Sequence, residues 1–569
     1  MCEPVHRCPE ATDLDNQDQV FQVLISRLLS SFWFLIAVSK NTDLTTSTPV
    51  VKNSQIPKTL FLYSQPTPTC PTQNCELCWN IVRITPRNII CTTPAAAHRI
   101  ATPCMTAVKP HYSSIRSKIV QNTPDSIQCR LYCKGRTCKY CNSEPWKEEQ
   151  QALKGLYSNW VTKDILAMSR PTTELIDKHD LLGQLKRNNI RSVINLQHVG
   201  EHASCGPPLH KSGFSYDPES FMSSGIYFYN FLWPDFGANV NSVLDNVKVV
   251  WFALQQGKQQ NIHDVNTGRI AVHCHAGLGR TGALIAAYLI WSEMQTAEAA
   301  VARVRRARPN SIQSAGQIDM LIKFEELVMH NGRAIPGRPI SFDAYLDLQR
   351  QYLPSGQQRL YTHIPKIIRV VCDHLLHFAF DSSQRFVRKR NSSHDLAQCT
   401  VGRLKVNWNA IPASQRTRTA YIITENLSTL CDSSSDLPEH SKSVGFVNMD
   451  VVFKTWSVDK VIVTLHNYML ALKRISTDQD GQELKQILTA LTHEKDVDKV
   501  WNPEQAWICS AVHLCNVFCC LIEEPSFFEF EQLMSIWFLS QRSNQFDGLI
   551  VEYMNAQRAK IFGKNRESE

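Results

Sequence analysis

The run Ile270-Ala271-Val272-His273-Cys274-His275-Ala276-Gly277-Leu278-Gly279-Arg280-Thr281-Gly282 constrains this chain more than any other. A short apolar strand, Ile270 to His273, enters a glycine-rich loop that opens directly onto an apolar helix, Thr281 to Trp291. The unpaired N–H groups of such a loop and of the helix N-terminus converge on one point, where the helix dipole also favours negative charge. Cys274 sits at that point, so its thiol is expected to ionise well below the pH of a free cysteine. Arg280, six residues on, returns over it with a planar fork that matches two oxygens of a phosphoryl group. The backbone of His275, Ala276, Gly277, Leu278 and Gly279, with Arg280, is therefore the expected anion cradle. The two glycines let the amides point inward without a Cβ in the way. The Thr281 hydroxyl is placed to hydrogen-bond a departing thiolate.

Cys-x5-Arg alone is weak, because a chain with 20 cysteines meets it about once by chance. The flanking His273, Gly277, Gly279, Thr281 and Gly282 make the pattern specific. A thiolate attacking a phosphoester also needs an acid for the leaving oxygen. Asp235, in Phe231-Leu232-Trp233-Pro234-Asp235-Phe236-Gly237, follows a strand-like run and has a stiff Trp-Pro approach with a glycine to swing on. It is the expected general acid. Gln313 and Gln317, beyond Arg308-Pro309-Asn310-Ser311-Ile312, are candidates to orient the water that hydrolyses a phosphocysteine.

Around this centre the pattern alternates helix and strand. A helix is expected over Thr173 to Asn188, strands over Arg191 to Leu196 and Gly225 to Phe231, and a helix through Val243, Leu244, Val247, Val250, Trp251 and Leu254 that stops at Gly257. A helix over Thr296 to Arg306 carries a basic edge, Arg303, Arg305 and Arg306, read as solvated. Helices flanking a central sheet give an α/β sandwich.

The expected divisions are a mostly disordered N-terminal region (1–120) with an apolar segment at 20–38, the α/β domain (121–335), a helical extension (336–380), a polar linker (381–450) and a helical C-terminal module (451–569). The 20–38 segment is interrupted by Arg27 and preceded by acidic residues, which argues against a membrane span or signal and for an amphipathic helix that is buried or binds a partner. In the C-terminal module Asn502 caps, Pro503 takes the first turn, and Ile508, Val512, Cys515, Cys519 and Ile522 form one stripe. These helices are expected to pack as an appendage or bind a protein partner.

With those motifs in hand, the chain resembles the cysteine-based phosphatases of the dual-specificity superfamily, near the cell-division-cycle phosphatases. Further matching runs are Tyr157-Ser158-Asn159-Trp160, Ile194-Asn195-Leu196-Gln197, Gly200-Glu201-His202-Ala203-Ser204-Cys205-Gly206 and His363-Ile364-Pro365-Lys366. The resemblance implies a cysteine-phosphatase sandwich, Cys274 as nucleophile, Arg280 as phosphate clamp, Asp235 as acid, a phosphorylated protein as substrate and a cilium- or centrosome-related role. The polar stretch Gln259 to Arg269 looks inserted relative to that family. Lipid-directed relatives place lysines in the loop, whereas the variable positions here are His275 and Leu278.

The net charge of +8 suits a phosphorylated or acidic partner, and no basic run stands beside interleaved aromatics to argue for nucleic acid. No cofactor and no metal are expected. A catalytic thiolate calls for a reducing compartment, which makes the cytoplasm the expected location. Cys129, Cys133, Cys138 and Cys141 have a spacing that permits a zinc knot, but no histidine lies nearby in sequence; reduced structural thiols are the alternative.

Overall fold

The computed structural model describes residues 109–113, 115, 118–119, 122–123, 125–233, 240–256, 268–379, 413–432, 444–472, 478–493, 506–539 and 546–562. The 20–38 segment, Asp235, most of the 259–269 stretch, and the Asn502 and Pro503 cap lie outside these residues.

Five strands form one sheet: β1 (Ser158–Trp160), β2 (Ile165–Met168), β3 (Ile190–Asn195), β4 (Tyr227–Asn230) and β5 (Arg269–His273). Their order is β1-β2-β5-β3-β4, with β1 antiparallel to β2 and the other pairs parallel. The strand expected to carry the nucleophile is thus the central one, flanked by β2 and β3 in register Met168↔His273 and Asn195↔His273. Three parallel strands end together there, and their following loops meet around Cys274, where open α/β sheets place their ligands.

Strand residues alternate between two cores, as a period of two requires. Leu166, Met168, Val193 and Ala271 pack on one face with Leu175, Ile176, Leu185, Tyr216 and Phe221. Ile165, Ala167, Ile194, Ile270 and Val272 face the other, against the helices Val240–Gln255, Gly279–Glu293, Ala297–Ala307 and Ala315–Asn331. The helix expected over Thr173 to Asn188 is two helices, Thr173–His179 and Leu181–Arg187. Asp180 between them has φ +48°, and its side chain accepts from Gly183 N, capping the second.

The larger core does not stop at residue 335. The backbone of 332–334 pairs with 444–446, through Ala334 N to Val444 O at 2.9 Å and Phe446 N to Gly332 O at 2.9 Å. Trp291 donates its indole N–H to Tyr352 O at 3.2 Å, and Phe342 stacks on Phe538. The same continuous core includes Leu465, Ile508, Phe530 and Met554. The expected linker needs correction accordingly. Ala413–Asp432 within it is a helix whose Ile423, Leu427 and Leu430 are buried, because these apolar residues, at four- and three-residue spacing, make a stripe in an otherwise polar sequence. Ile508, Val512, Cys515, Cys519 and Ile522 are all buried, as the stripe required. Residues 109–113, inside the stretch expected to be disordered, lie against the site: Tyr112 N donates to Gln313 O at 2.9 Å. No helix among the described residues is long and apolar enough to cross a membrane.

Candidate active site

Every carbonyl of the loop from Cys274 to Leu278 is taken from outside. Cys274 O faces His273 Nδ1 at 3.0 Å, and His275 O accepts from Arg170 N at 2.9 Å. Ala276 O and Gly277 O accept from the Arg308 guanidinium at 3.1 and 2.5 Å. Leu278 O accepts from Gly282 N and Ile312 N. By contrast, the N–H groups of His275, Ala276, Gly277 and Leu278 donate to nothing among the described residues. A loop with its carbonyls satisfied outward and its amides unspent is an anion site. The loop then enters the N-terminus of helix Gly279–Glu293, whose dipole adds to it.

Gly277 has φ +67°, and a Cβ there would stand 1.9 Å from Met168 O, so the loop closes against β2 only because this residue is glycine. A Cβ on Gly279 would meet Gln317 Nε2 at 2.9 Å and Gln313 Oε1 at 3.3 Å, which places both candidate glutamines at the loop. Gln317 is buried and partly committed, with its Oε1 accepting from Gln313 N at 2.8 Å. Thr281 is fully buried, and its hydroxyl has no hydrogen-bond partner among the described residues.

Arg280 is held by a carboxylate. Nη1 donates to Glu201 Oε2 at 2.7 Å and to Leu196 O at 3.1 Å, while Nη2 donates to Glu201 Oε1. Burial penalises the Glu201 carboxylate, but hydrogen bonds from Arg280 and His202 outweigh that and hold its pKa well below the usual range. A buried arginine fixed by such a fork presents its remaining edge without losing rotamer freedom on binding.

His273 is also fixed. Cys274 O can only accept, so Nδ1 carries the proton, and Nε2 accepts from the Tyr216 hydroxyl at 2.7 Å. Burial pushes its pKa down to about 4, which keeps the ring neutral. Arg308, fully buried, also donates to Asn159 Oδ1 at 2.6 Å and lies over the Tyr157 ring at 3.9 Å; burial brings its pKa down to about 10. Tyr157 in turn stacks on Trp146 at 3.8 Å. From the expected solvated edge, Arg305 instead donates to Ser311 O and Ile312 O, bracing the segment that carries Gln313.

Sequence reasoning missed Glu201, Arg170 and Arg308 as parts of the site. Glu201 stood in a matched run and Arg308 beside the candidate glutamines, both without a role, and only the fold brings them to the loop. Sequence reasoning also did not foresee where the His275 side chain goes. Its imidazole is turned away into a group of thiols, with Cys133 Sγ 3.9 Å from Nδ1 and Cys138 and Cys141 Sγ 3.5 and 3.9 Å from Nε2. Burial, then the charges of His202, Arg170 and Arg280, hold its pKa well below the ordinary histidine value.

Against this geometry, residues 256–327 match the family model described as dual specificity phosphatase, catalytic domain. That stretch of the chain is similar to a dual specificity phosphatase catalytic domain. Over 277 residues it is 45% identical to protein tyrosine phosphatase domain-containing protein 1 of Bos taurus, covering 48% of this chain and 33% of that relative. The Mus musculus protein of the same name is 44% identical over 277 residues, covering 48% and 36%. A shorter match, 31% identity over 112 residues, covers 20% of this chain and 21% of dual specificity protein phosphatase CDC14B of Mus musculus. The first two matches span about a third of those relatives' own length.

Proposed function

We propose that this chain hydrolyses phosphomonoesters on proteins through a phosphocysteine intermediate. In this reading Cys274 Sγ attacks phosphorus and the P–O bond to the leaving group breaks. Asp235 gives its proton to the departing oxygen. Water, oriented by the Gln313 and Gln317 amides, then attacks the phosphocysteine, returns a proton to Asp235 and releases phosphate. Thr281 donates to the departing thiolate. The observation that carries the reading is the loop whose outer carbonyls are all satisfied while four inner amides are unspent, closed by an arginine pinned to Glu201. Such a preorganised donor set gains most when charge spreads over equatorial phosphoryl oxygens.

A phosphoprotein is favoured over a phosphoinositide because the variable position after the nucleophile offers the cradle no cation: the His275 ring is spent on thiols. A cilium- or centrosome-related role and a cytoplasmic location belong to the same reading and rest on resemblance alone.

The test is turnover by the full chain on a phosphopeptide array beside a phosphoinositide panel, with Cys274→Ser as the control. Phosphopeptide hydrolysis that disappears in the variant supports the proposal. Preferential lipid turnover would replace the substrate class, and tight phosphopeptide binding without turnover would make the chain a phosphoprotein-binding scaffold.

A further inference from the structure

Beside the catalytic loop lies a small core made of sulfur. Cys129, Cys138, Cys141 and Cys205 are buried together, with Cys133 and Tyr140 packed on them and no aliphatic side chain among them. The backbone around it is built of single 3₁₀ turns, Gly135–Thr137 and Lys139–Cys141. Lys134 and Gly135, at φ +62° and +56°, fold Cys133 back toward Cys138. None of these cysteines is in a disulfide. Thiols are weak hydrogen-bonding groups, and this small core holds no aliphatic side chain.

We infer that this cluster is a structural zinc site, with Cys133, Cys138, Cys205 and His275 as ligands. The four ligand atoms all lie within 4.8 Å of one another. Bonds of about 2.3 Å to sulfur and 2.0–2.1 Å to nitrogen set tetrahedral ligand atoms about 3.5–3.8 Å apart. The 3.5 Å between Cys138 Sγ and His275 Nε2 fits that edge. A set of three thiolates and one imidazole is a common closed structural zinc set and suits zinc above harder ions. On binding, each coordinating thiol gives up its proton to solvent and the imidazole binds through a lone pair, with no change of oxidation state.

The surroundings are those of a metal site. His202 stacks on His275 at 4.0 Å and turns Nδ1 toward Cys129 and Cys205, at 3.3 and 3.8 Å. Its Nε2 faces the Glu201 carboxylate at 3.3 Å. Arg170 donates to Cys141 Sγ at 3.4 Å and to Cys205 O at 2.5 Å, placing a positive charge beside a group that becomes anionic. Cys129, His202 and Cys205 form a second, overlapping triad.

The site would reach the chemistry twice. His275 is the residue after Cys274, and Glu201 grips both His202 and Arg280. The inference does not rest on the proposed hydrolysis, because its readout is metal content.

The experiment uses the full chain expressed with zinc supplementation, freed of loose metal and held under reductant. Elemental analysis should find at least one zinc per chain, and X-ray absorption at the zinc edge should show a first shell dominated by sulfur at about 2.3 Å. Cys138→Ser with Cys205→Ser should lower zinc content at least tenfold. Zinc well below one per chain, or a first shell of nitrogen and oxygen without sulfur, overturns the site. Should the double variant fail to fold, the wild-type absorption spectrum decides alone. Undiminished zinc in a folded double variant overturns the ligand assignment.

Discussion

Arg308 shows how much of the cradle is built by residues that a phosphate would never touch. Its fork holds the carbonyls of Ala276 and Gly277 outward, so the amides of the next residues have nowhere to turn but in. Arg308→Lys keeps the charge but replaces the planar fork with a point donor. Turnover by this variant is expected to fall roughly 10- to 100-fold at little change in protein level, a loss of about 1.4–2.7 kcal/mol of transition-state stabilisation. Steady-state kinetics on one phosphopeptide would read it. Gly277→Ala should be more severe, since it sets a Cβ against Met168 O in a left-handed backbone. Cys274→Ser removes the nucleophile but leaves the amides and Arg280, so phosphate binding should persist while turnover vanishes; more than a few per cent of residual activity would refute the assignment. Asp235→Asn should slow alkyl phosphate ester hydrolysis by about 10²–10⁴-fold and that of a good phenolate far less. Equal losses on the two leaving groups would give Asp235 a different role.

At the scale of elements, the helices Val458–Ala471 and Phe527–Phe538 are joined by a polar contact inside an apolar interface. Trp537 Nε1 donates to His466 Nδ1 at 3.1 Å, so this ring nitrogen must stay unprotonated. Burial holds the His466 pKa at about 4, against about 6.5 for a histidine in the unfolded chain. Between those values the unfolded state binds the proton and the folded state does not, so stability rises with pH. The contribution is fully present above about pH 6.5 and is lost as pH falls toward 4. His466→Gln should therefore flatten the acid limb of denaturant-measured stability between pH 6.5 and 4. An unchanged slope would mean that His466 does not couple folding to protonation.

The whole described core from Val161 to Met554 behaves as one packed body rather than a catalytic domain with an appendage. Lys366 is one of its ties. Fully buried, it donates to Phe446 O at 2.8 Å and Gln357 Oε1 at 3.0 Å and pairs with Asp450 at 2.5 Å. Lys366→Ala strands the Phe446 carbonyl and should cost about 2–4 kcal/mol, measured by urea unfolding. Ending the chain at residue 380 would expose the apolar surface around Met294, Tyr345 and Phe342. Such a fragment should bind a hydrophobic dye and lose the cooperative transition of the full chain; cooperative unfolding with undiminished activity would restore the separate-module view.

The local signals were legible because they are short-range physics. A short apolar run marked the central strand, a period near 3.6 marked the helices, and the glycines with Cys274 and Arg280 marked the loop within a single run of residues. Tertiary structure decided whatever depends on residues far apart in the chain. Glu201 is 79 residues from Arg280, and Cys133 is 142 from His275. The missing histidine of the cysteine cluster was on the catalytic loop itself, where sequence assigned it to the cradle. Apolar periodicity tells a helix that it will be buried, but not against what. So most helices beyond residue 336 were foreseen, Ala413–Asp432 excepted, and their union with the core around the α/β sheet was not. Spacing along a chain determines local conformation; which side chains meet is settled only when the sheet and its helices close around a common core.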